Sequence, residues 1–227
     1  MVKTRQIPLD LVQPVSFDLA DFVVAPCNSD AFTFVERWSD NPFHFGAIVG
    51  PDGSGKSHLL GGWSKEHRAT VLSPTAQFSD IKQGSLYIID DIDQLTENGD
   101  HAYSDELLFH IFNWAKEQQA KVLVSARKPP NQWGRKLPDL VSRLGTVPNV
   151  SIEQPDDQIL TVMLVKLFSD RQLQVDLEVI NYVLGRMPRT YAAAQQMADD
   201  LDRLALAEKR RITKDLARRC LEHFADQ

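Results

Sequence analysis

The run Gly50-Pro51-Asp52-Gly53-Ser54-Gly55-Lys56-Ser57 fills every fixed position of the phosphate-loop pattern G-x-x-x-x-G-K-[ST]. Glycines let backbone N–H groups turn inward around a β-phosphate. A helix beginning at the end of the loop offers its positive N-terminus to the same anion. Lys56 then reaches the β- and γ-phosphates, and Ser57 supplies an oxygen to Mg2+. A second chemistry-bearing run is "SLYIIDD", residues 85–91. Acids at the carboxyl end of a buried strand stand where a parallel sheet binds ligands. Asp90 would hold Mg2+ through water, and Asp91 would polarise an attacking water; the plainer alternative is a pair of acids opening a turn. Asp93 reads as a solvated turn residue. Two arginines complete the set, Arg143 in "LPDLVSRLG" and Arg189 in "MPRTYAAAQQM". By position alone either is an ordinary surface arginine.

These residues need elements to hold them. "FHFGAIVG", residues 43–50, is an apolar run of strand length that ends at the glycine loop, and a helix is expected over 56–66. A short helix over 31–38 comes before it. Strands are expected at 69–72, 85–91, 121–126 and near 150–152. They lack polar alternation, as a sheet covered on both faces requires. Ser104 can cap a helix whose first turn holds Asp105 and Glu106. Leu108, Ile111, Phe112 and Ala115 recur in it at helical spacing. A further short helix is expected over 137–144. Strand–helix alternation implies a parallel sheet flanked by helices.

After Pro155 the pattern changes. Leu160, Met163, Leu164, Leu167 and Phe168 mark one helix, and residues 177–184 a second. Ala194, Met197, Ala198, Leu201, Leu204 and Ala205 mark a third, which Arg189 is expected to open, and residues 216–223 lie in a fourth. The expected organisation is a flexible tail at 1–14, an α/β domain at 15–155 and an all-helical domain at 156–227.

Composition narrows the function classes. The 227 residues are 43% hydrophobic and 25% charged, with a net charge of −6 and a pI near 5.5. Proteins that grip nucleic acid unaided carry a basic face, so direct DNA binding is not expected. The basic runs 209–211 and 218–219 read as solvated helix faces, with a contact to DNA or a partner as the sharper alternative. Cys27 and Cys220 are far apart and read as two buried thiols in a reducing cytoplasm. No apolar run is long enough to span a bilayer, and the N-terminus lacks the apolar core of a signal peptide. A cytoplasmic protein with no membrane association is expected.

Taken in order, the pieces resemble a AAA+ ATPase of the DnaA replication-initiator branch. "DFVVAPCNSDAF" resembles that branch's adenine-side segment, with an aromatic, two valines and an asparagine; it implies base contacts from Phe22, Val23 and Val24. "GPDGSGKSHLL" and "LYIIDDID" resemble its two phosphate-site motifs, implying nucleotide contacts from Pro51, Gly53, Ser54, Gly55, Lys56, Ser57, His58 and Asp90. Ser57 and Asp90 would serve Mg2+, the latter through water. "LPDLVSRLG" resembles the arginine-finger segment and "PRTYAAAQQM" the second sensor helix. The resemblance covers about residues 21–224. No initiator-type DNA-binding domain and no long N-terminal region are expected here, the plan of Hda-type (HdaA) regulators.

That resemblance implies a negative regulator of replication initiation. In the Hda family the protein, with the DNA polymerase III sliding clamp (the beta subunit) on DNA, stimulates DnaA to hydrolyse its bound ATP. Arg143 would be the finger entering the DnaA site in trans, and Arg189 would touch this chain's own nucleotide. The family implies ADP, or else ATP, with Mg2+ as ligand. "QIPLDL" resembles the clamp-binding peptide Q-x-x-L-x-L. Leu9 and Leu11, with Ile7 beside them, would enter a groove while the Gln6 amide makes directed hydrogen bonds. The first-sensor region "VLVSARK" has Ala126 where an acid or amide is common, although Ser125 is polar. With Asp91 standing where a longer glutamate is usual, weak or no intrinsic ATPase activity is expected. AAA+ modules meet finger to nucleotide, which admits a homodimer. Two other readings remain: a stand-alone AAA+ ATPase that remodels protein or nucleic acid, and a DnaA tether or loader that does not stimulate hydrolysis.

Overall fold

Every residue of β1 (Phe45–Val49) is buried, so the strand has no polar face and must lie inside a sheet covered on both sides. The computed structural model describes residue 19, residues 22–75 and residues 82–225. β2 (Thr70–Val71), β3 (Leu86–Ile89), β4 (Lys121–Ala126) and β5 (Asn149–Ser151) join β1 in one sheet of order β2-β3-β4-β1-β5. All its pairings are parallel.

Alternate residues of the strands feed two separate cores. Phe45, Ala47 and Val49 pack with Leu108, Ile111 and Ala115 of α3 (Asp105–Glu117) and with Leu140 and Leu144 of α4 (Pro138–Leu144). Ile48, Ile88 and Leu123 pack on the other face with α1 (Ser29–Glu36) and α2 (Lys56–His67), chiefly through Val35, Leu59 and Trp63. Ser104 caps α3 by accepting from Leu107 N–H at 3.2 Å.

β1, β2 and β3 are shorter than their apolar runs, whereas β4 fills its own. β2 is an edge strand of two exposed residues. β3 stops at Ile89 because Asp91 adopts φ 48°, in the left-handed region, and turns the chain.

The chain divides into two compact units, Phe17–Pro155 and Asp156–Gln227. The second contains α5 (Asp157–Asp170), α6 (Leu177–Leu184), α7 (Tyr191–Glu208) and α8 (Lys214–Ala225). Leu160, Leu164, Phe168, Met197, Leu201 and Leu216 are buried. Asp156 caps α5 by accepting from Ile159 N–H at 2.9 Å, and Thr190 caps α7 by accepting from Ala193 N–H at 3.0 Å. Arg189 therefore precedes the third helix instead of opening it, since the threonine hydroxyl sets the first turn one residue later. Burial pushes the Cys220 thiol up to about 11. Cys27 is only half-buried, contrary to expectation, because it sits in the turn that leads into α1.

Arginines of the basic runs meet acids of α7 and α8. Arg210 pairs with Glu208 and Asp215, Arg218 with Asp215, and Arg219 with Glu208. Among the described residues no helix is long and apolar enough to cross a membrane.

One buried cation ties the α/β unit together. The Arg135 side chain is fully buried and donates to the carbonyls of Tyr103 and Ile92 and to Asp105. Asp105 in turn accepts from the N–H groups of Lys136 and Leu137 at 2.8 and 2.9 Å. Burial alone would raise the Asp105 carboxyl, but those two N–H groups and Arg135 outweigh it and hold it below the usual range. A depressed carboxylate contributes stability that is present above its unfolded value, near 3.8, and lost as pH falls through its folded value. Asp105→Ala is expected to cost ~1–3 kcal/mol near neutral pH. In denaturant titrations the gap between variant and parent should narrow towards about pH 3; an equal gap at both pH values would contradict this account.

Candidate functional site

β1 delivers the chain to the loop at Gly50, whose N–H donates to Ala126 O at 3.1 Å. A Cβ at Gly50 would lie 2.4 Å from the Ile152 carbonyl oxygen and 2.9 Å from Ser54 Oγ, so no larger residue fits. Gly53 and Gly55 have φ of 72° and 95°, the left-handed region that glycine adopts without strain. α2 begins directly after Gly55, which has no side chain to cap it, and its first-turn N–H groups remain to receive an anion. Lys56 is buried and its Nζ donates to Gly50 O at 2.8 Å and Pro51 O at 2.9 Å. Ser54 Oγ is buried with no hydrogen-bond partner among the described residues. Pro51 is exposed and Gly53 half-buried.

The acids lie beside the loop. Ser57 Oγ donates to Asp90 Oδ1 at 3.2 Å. The buried Ser125 hydroxyl donates to the same Asp90 oxygen and accepts from Asp91 N–H at 2.8 Å. Ser125 thus locks the two acids in place from β4. Burial and neighbouring Asp90 raise the Asp91 carboxyl, against the pull of Lys56 and Arg127. Ser57 and Asp90 present hard oxygens at one point, a donor set that fits Mg2+ retaining several of its waters. Among the described residues no group of three or more His, Cys, Asp or Glu forms a fuller metal site.

Asp93 is a correction. Instead of standing in solvent, its carboxylate accepts from Arg127 N–H at 2.9 and 3.1 Å and from Lys128 N–H at 3.1 Å, because the turn after β3 runs against the end of β4. Arg127 Nε also meets Asp52 Oδ1 of the loop at 2.8 Å. The sequence reading passed over Asp52 and Arg127. Their only signal is opposite charge just past two strands whose pairing has to be known first.

A third group forms the apolar side. Phe22 meets His58 edge-on at 5.7 Å between ring centroids and stacks on Phe32 at 5.9 Å. Asn28 is buried; its Oδ1 accepts from Ala25 N–H at 2.8 Å and its Nδ2 donates to Val23 O at 2.9 Å. That amide shapes the segment carrying Val23, half-buried, and Val24, exposed. Aromatic and aliphatic surface next to phosphate-type donors suits a heterocycle joined to an anion.

The two arginines have other neighbours. Arg143, in the last turn of α4, is half-buried with its guanidinium 4.8 Å from the centroid of the Phe109 ring of α3. Arg189 belongs to the helical unit, where it makes a two-pronged pair with Asp157 at 2.7 and 3.1 Å. That hydrogen-bonded pair lowers the Asp157 carboxyl and raises Arg189. Gln6, Ile7, Leu9 and Leu11 lie outside the described residues.

Comparison with known proteins matches the helical unit to a family and most of the chain to relatives and solved structures. Residues 156–221 match the family described as Hda, lid domain. An uncharacterized protein of Haemophilus influenzae is 29% identical over 79% of this chain and 81% of its own length. The chromosomal replication initiator protein DnaA of Campylobacter jejuni is 27% identical over 89% of this chain; the chain spans about half, 51%, of that relative. Among solved structures, domain III of Thermotoga maritima DnaA superposes with a TM-score of 0.74 at 18% identity, over 93% of this chain and 98% of that one. AMPPCP-bound DnaA from Aquifex aeolicus superposes with a TM-score of 0.67 at 19% identity, over 86% of this chain and 67% of that one. At such identities the structural likeness shows the fold.

Gly50→Ala tests the geometry directly. Its methyl group must displace the Ile152 carbonyl, a backbone atom, and is expected to cost ~1–3 kcal/mol. Chemical denaturation measures it; a neutral result would mean that the loop and β5 part freely.

Proposed function

We propose that this chain, a DnaA-related AAA+ protein with an Hda-type lid, is a nucleotide-holding negative regulator of replication initiation that acts on DnaA in the cytoplasm. The observation that carries the reading is the Hda lid match at 156–221 on a chain whose fold is that of DnaA domain III.

The loop supports nucleotide as ligand. The positive φ of Gly53 and Gly55 turns the loop so that backbone N–H groups can face phosphates, and Lys56 would exchange the loop carbonyls it now holds for β- and γ-oxygens. The AMPPCP bound by the Aquifex neighbour is consistent with that. Phe22, Val23, Val24 and His58 would line the base. Ser57 and, through water, Asp90 would hold Mg2+, which when bound neutralises charge on the phosphate oxygens. The working ligand is proposed to be ADP, with little hydrolysis at this site. Ala126 brings no polar group to the end of β4, and the Ser125 hydroxyl is already engaged by Asp90 and Asp91.

Arg143 is proposed to act in DnaA's ATP site. A guanidinium delivered across an interface stabilises charge on the transferring phosphoryl group, worth ~10³–10⁵ in rate in other NTPases. Phe109 supports it by facing one side of the guanidinium, which favours a fixed orientation over a mobile one. Arg189 would read this chain's own nucleotide. Residues 6–11 would bind the sliding clamp, bringing the regulator to DNA only through it. Self-association as a homodimer fits the same finger-to-nucleotide geometry.

The test is DnaA ATP hydrolysis with clamp loaded on DNA. Arg143→Ala is expected to return the rate to near its unstimulated level while leaving clamp binding intact, and Gln6→Ala to weaken clamp binding. Full stimulation by the Arg143 variant would remove the finger, and unchanged clamp affinity would remove the tail motif. Sizeable ATP turnover by the pure protein would favour a stand-alone ATPase instead.

A further inference from the structure

β1 and β4 pair so that Val49 lies opposite Ala126. Both chains therefore leave the sheet at the same end, and the residues just beyond face one another. There the loop carboxylate of Asp52 meets the Arg127 guanidinium, Oδ1 to Nε at 2.8 Å. The partner side is anchored, since Asp93 holds the N–H groups of both Arg127 and Lys128. Lys56 and Arg127 are the two cations that bear on Asp91. The ion pair thus stands at the corner occupied by Asp90 and Asp91, where a third phosphate would lie if Lys56 spans the β- and γ-positions.

We propose that the Asp52–Arg127 pair sets the choice between nucleoside diphosphate and triphosphate in this loop, in favour of the diphosphate. The inference rests on the nucleotide reading of the loop given above and adds the residues that would decide which nucleotide stays. A diphosphate fills the loop N–H groups and leaves the ion pair intact. A third phosphate brings further negative charge to a corner that already holds the carboxylates of Asp52, Asp90 and Asp91. Its oxygens also compete for Arg127, because guanidinium–phosphate contacts are strong and two-pronged. Once Arg127 turns to the phosphate, Asp52 faces an anion without its partner. The Asp52 and Arg127 side chains are 67% and 54% exposed. Water and salt screen such charges, so the preference is several-fold, not absolute.

Calorimetric titration of the full chain with ADP and with AMPPCP, both with Mg2+, reads the ratio of the two Kd values. The unaltered chain is expected to bind ADP more tightly. Asp52→Asn should shift the ratio towards the triphosphate analogue by ~3–10-fold, chiefly by tightening AMPPCP. Arg127→Gln should shift it the other way, and Asp52→Glu should keep the original preference. ADP binding by each variant serves as the control for folding. An unchanged ratio in both Asp52→Asn and Arg127→Gln, or a parent that prefers AMPPCP, overturns the inference while leaving the loop a nucleotide site. A parent that binds neither nucleotide overturns the nucleotide reading and this inference with it.

Discussion

The parallel pairing of β1 with β4, Phe45 beside Val122 through to Val49 beside Ala126, is the constraint on which the candidate site depends. It brings the start of the glycine loop level with the end of the strand that carries Ser125. β3 is paired to the far side of β4, which sets Ile89 beside Val124 and brings Asp90 within reach of the Ser125 hydroxyl. A slip of one residue in either ladder would turn every core side chain to the opposite face. Since both faces are packed, with α3 and α4 on one and α1 and α2 on the other, such a slip is strongly opposed. The positions of the polar groups are thus fixed by apolar packing some distance from them.

Electrostatics at this end of the sheet is a matter of partners more than of net charge. The chain is acidic, yet its acids are committed locally: Asp90 to two hydroxyls, Asp93 to two backbone N–H groups, Asp52 to Arg127. Lys56 is the buried cation of the group, and it rests on carbonyls of its own loop. A ligand anion entering here would displace existing hydrogen bonds, so its affinity reflects an exchange of partners.

Local features were the legible ones. The loop, the helix after it, the Ser104 cap and the apolar runs of β1, β3 and β4 each announce themselves within a few residues, through spacing or residue type. What escaped notice joins distant segments. Asp93 reads as a turn acid until the end of β4 is known to run beside it. Arg135, between Gly134 and Lys136, has the composition of a solvated loop, and only tertiary packing turns it inward. Phe22 and His58 carry no mutual signal across 35 intervening positions until α1 and α2 are packed on the same face of the sheet. Thr190 was similarly decisive at short range, since its hydroxyl, and not the arginine before it, sets where α7 starts.

Arg135 grips the chain at Ile92 O and again at Tyr103 O. Between those grips the chain makes an excursion that is exposed from Gln94 to Asp100 and closed on itself by Thr96 N–H to Asp100 O at 2.7 Å. One guanidinium therefore holds both ends of the excursion, much as a clasp holds a loop of thread. The entropy of closing such a loop grows only slowly with its length. Residues could be added between the two grips while the acids at the mouth of the sheet stay where they are, which makes this stretch a natural graft point on the α/β unit.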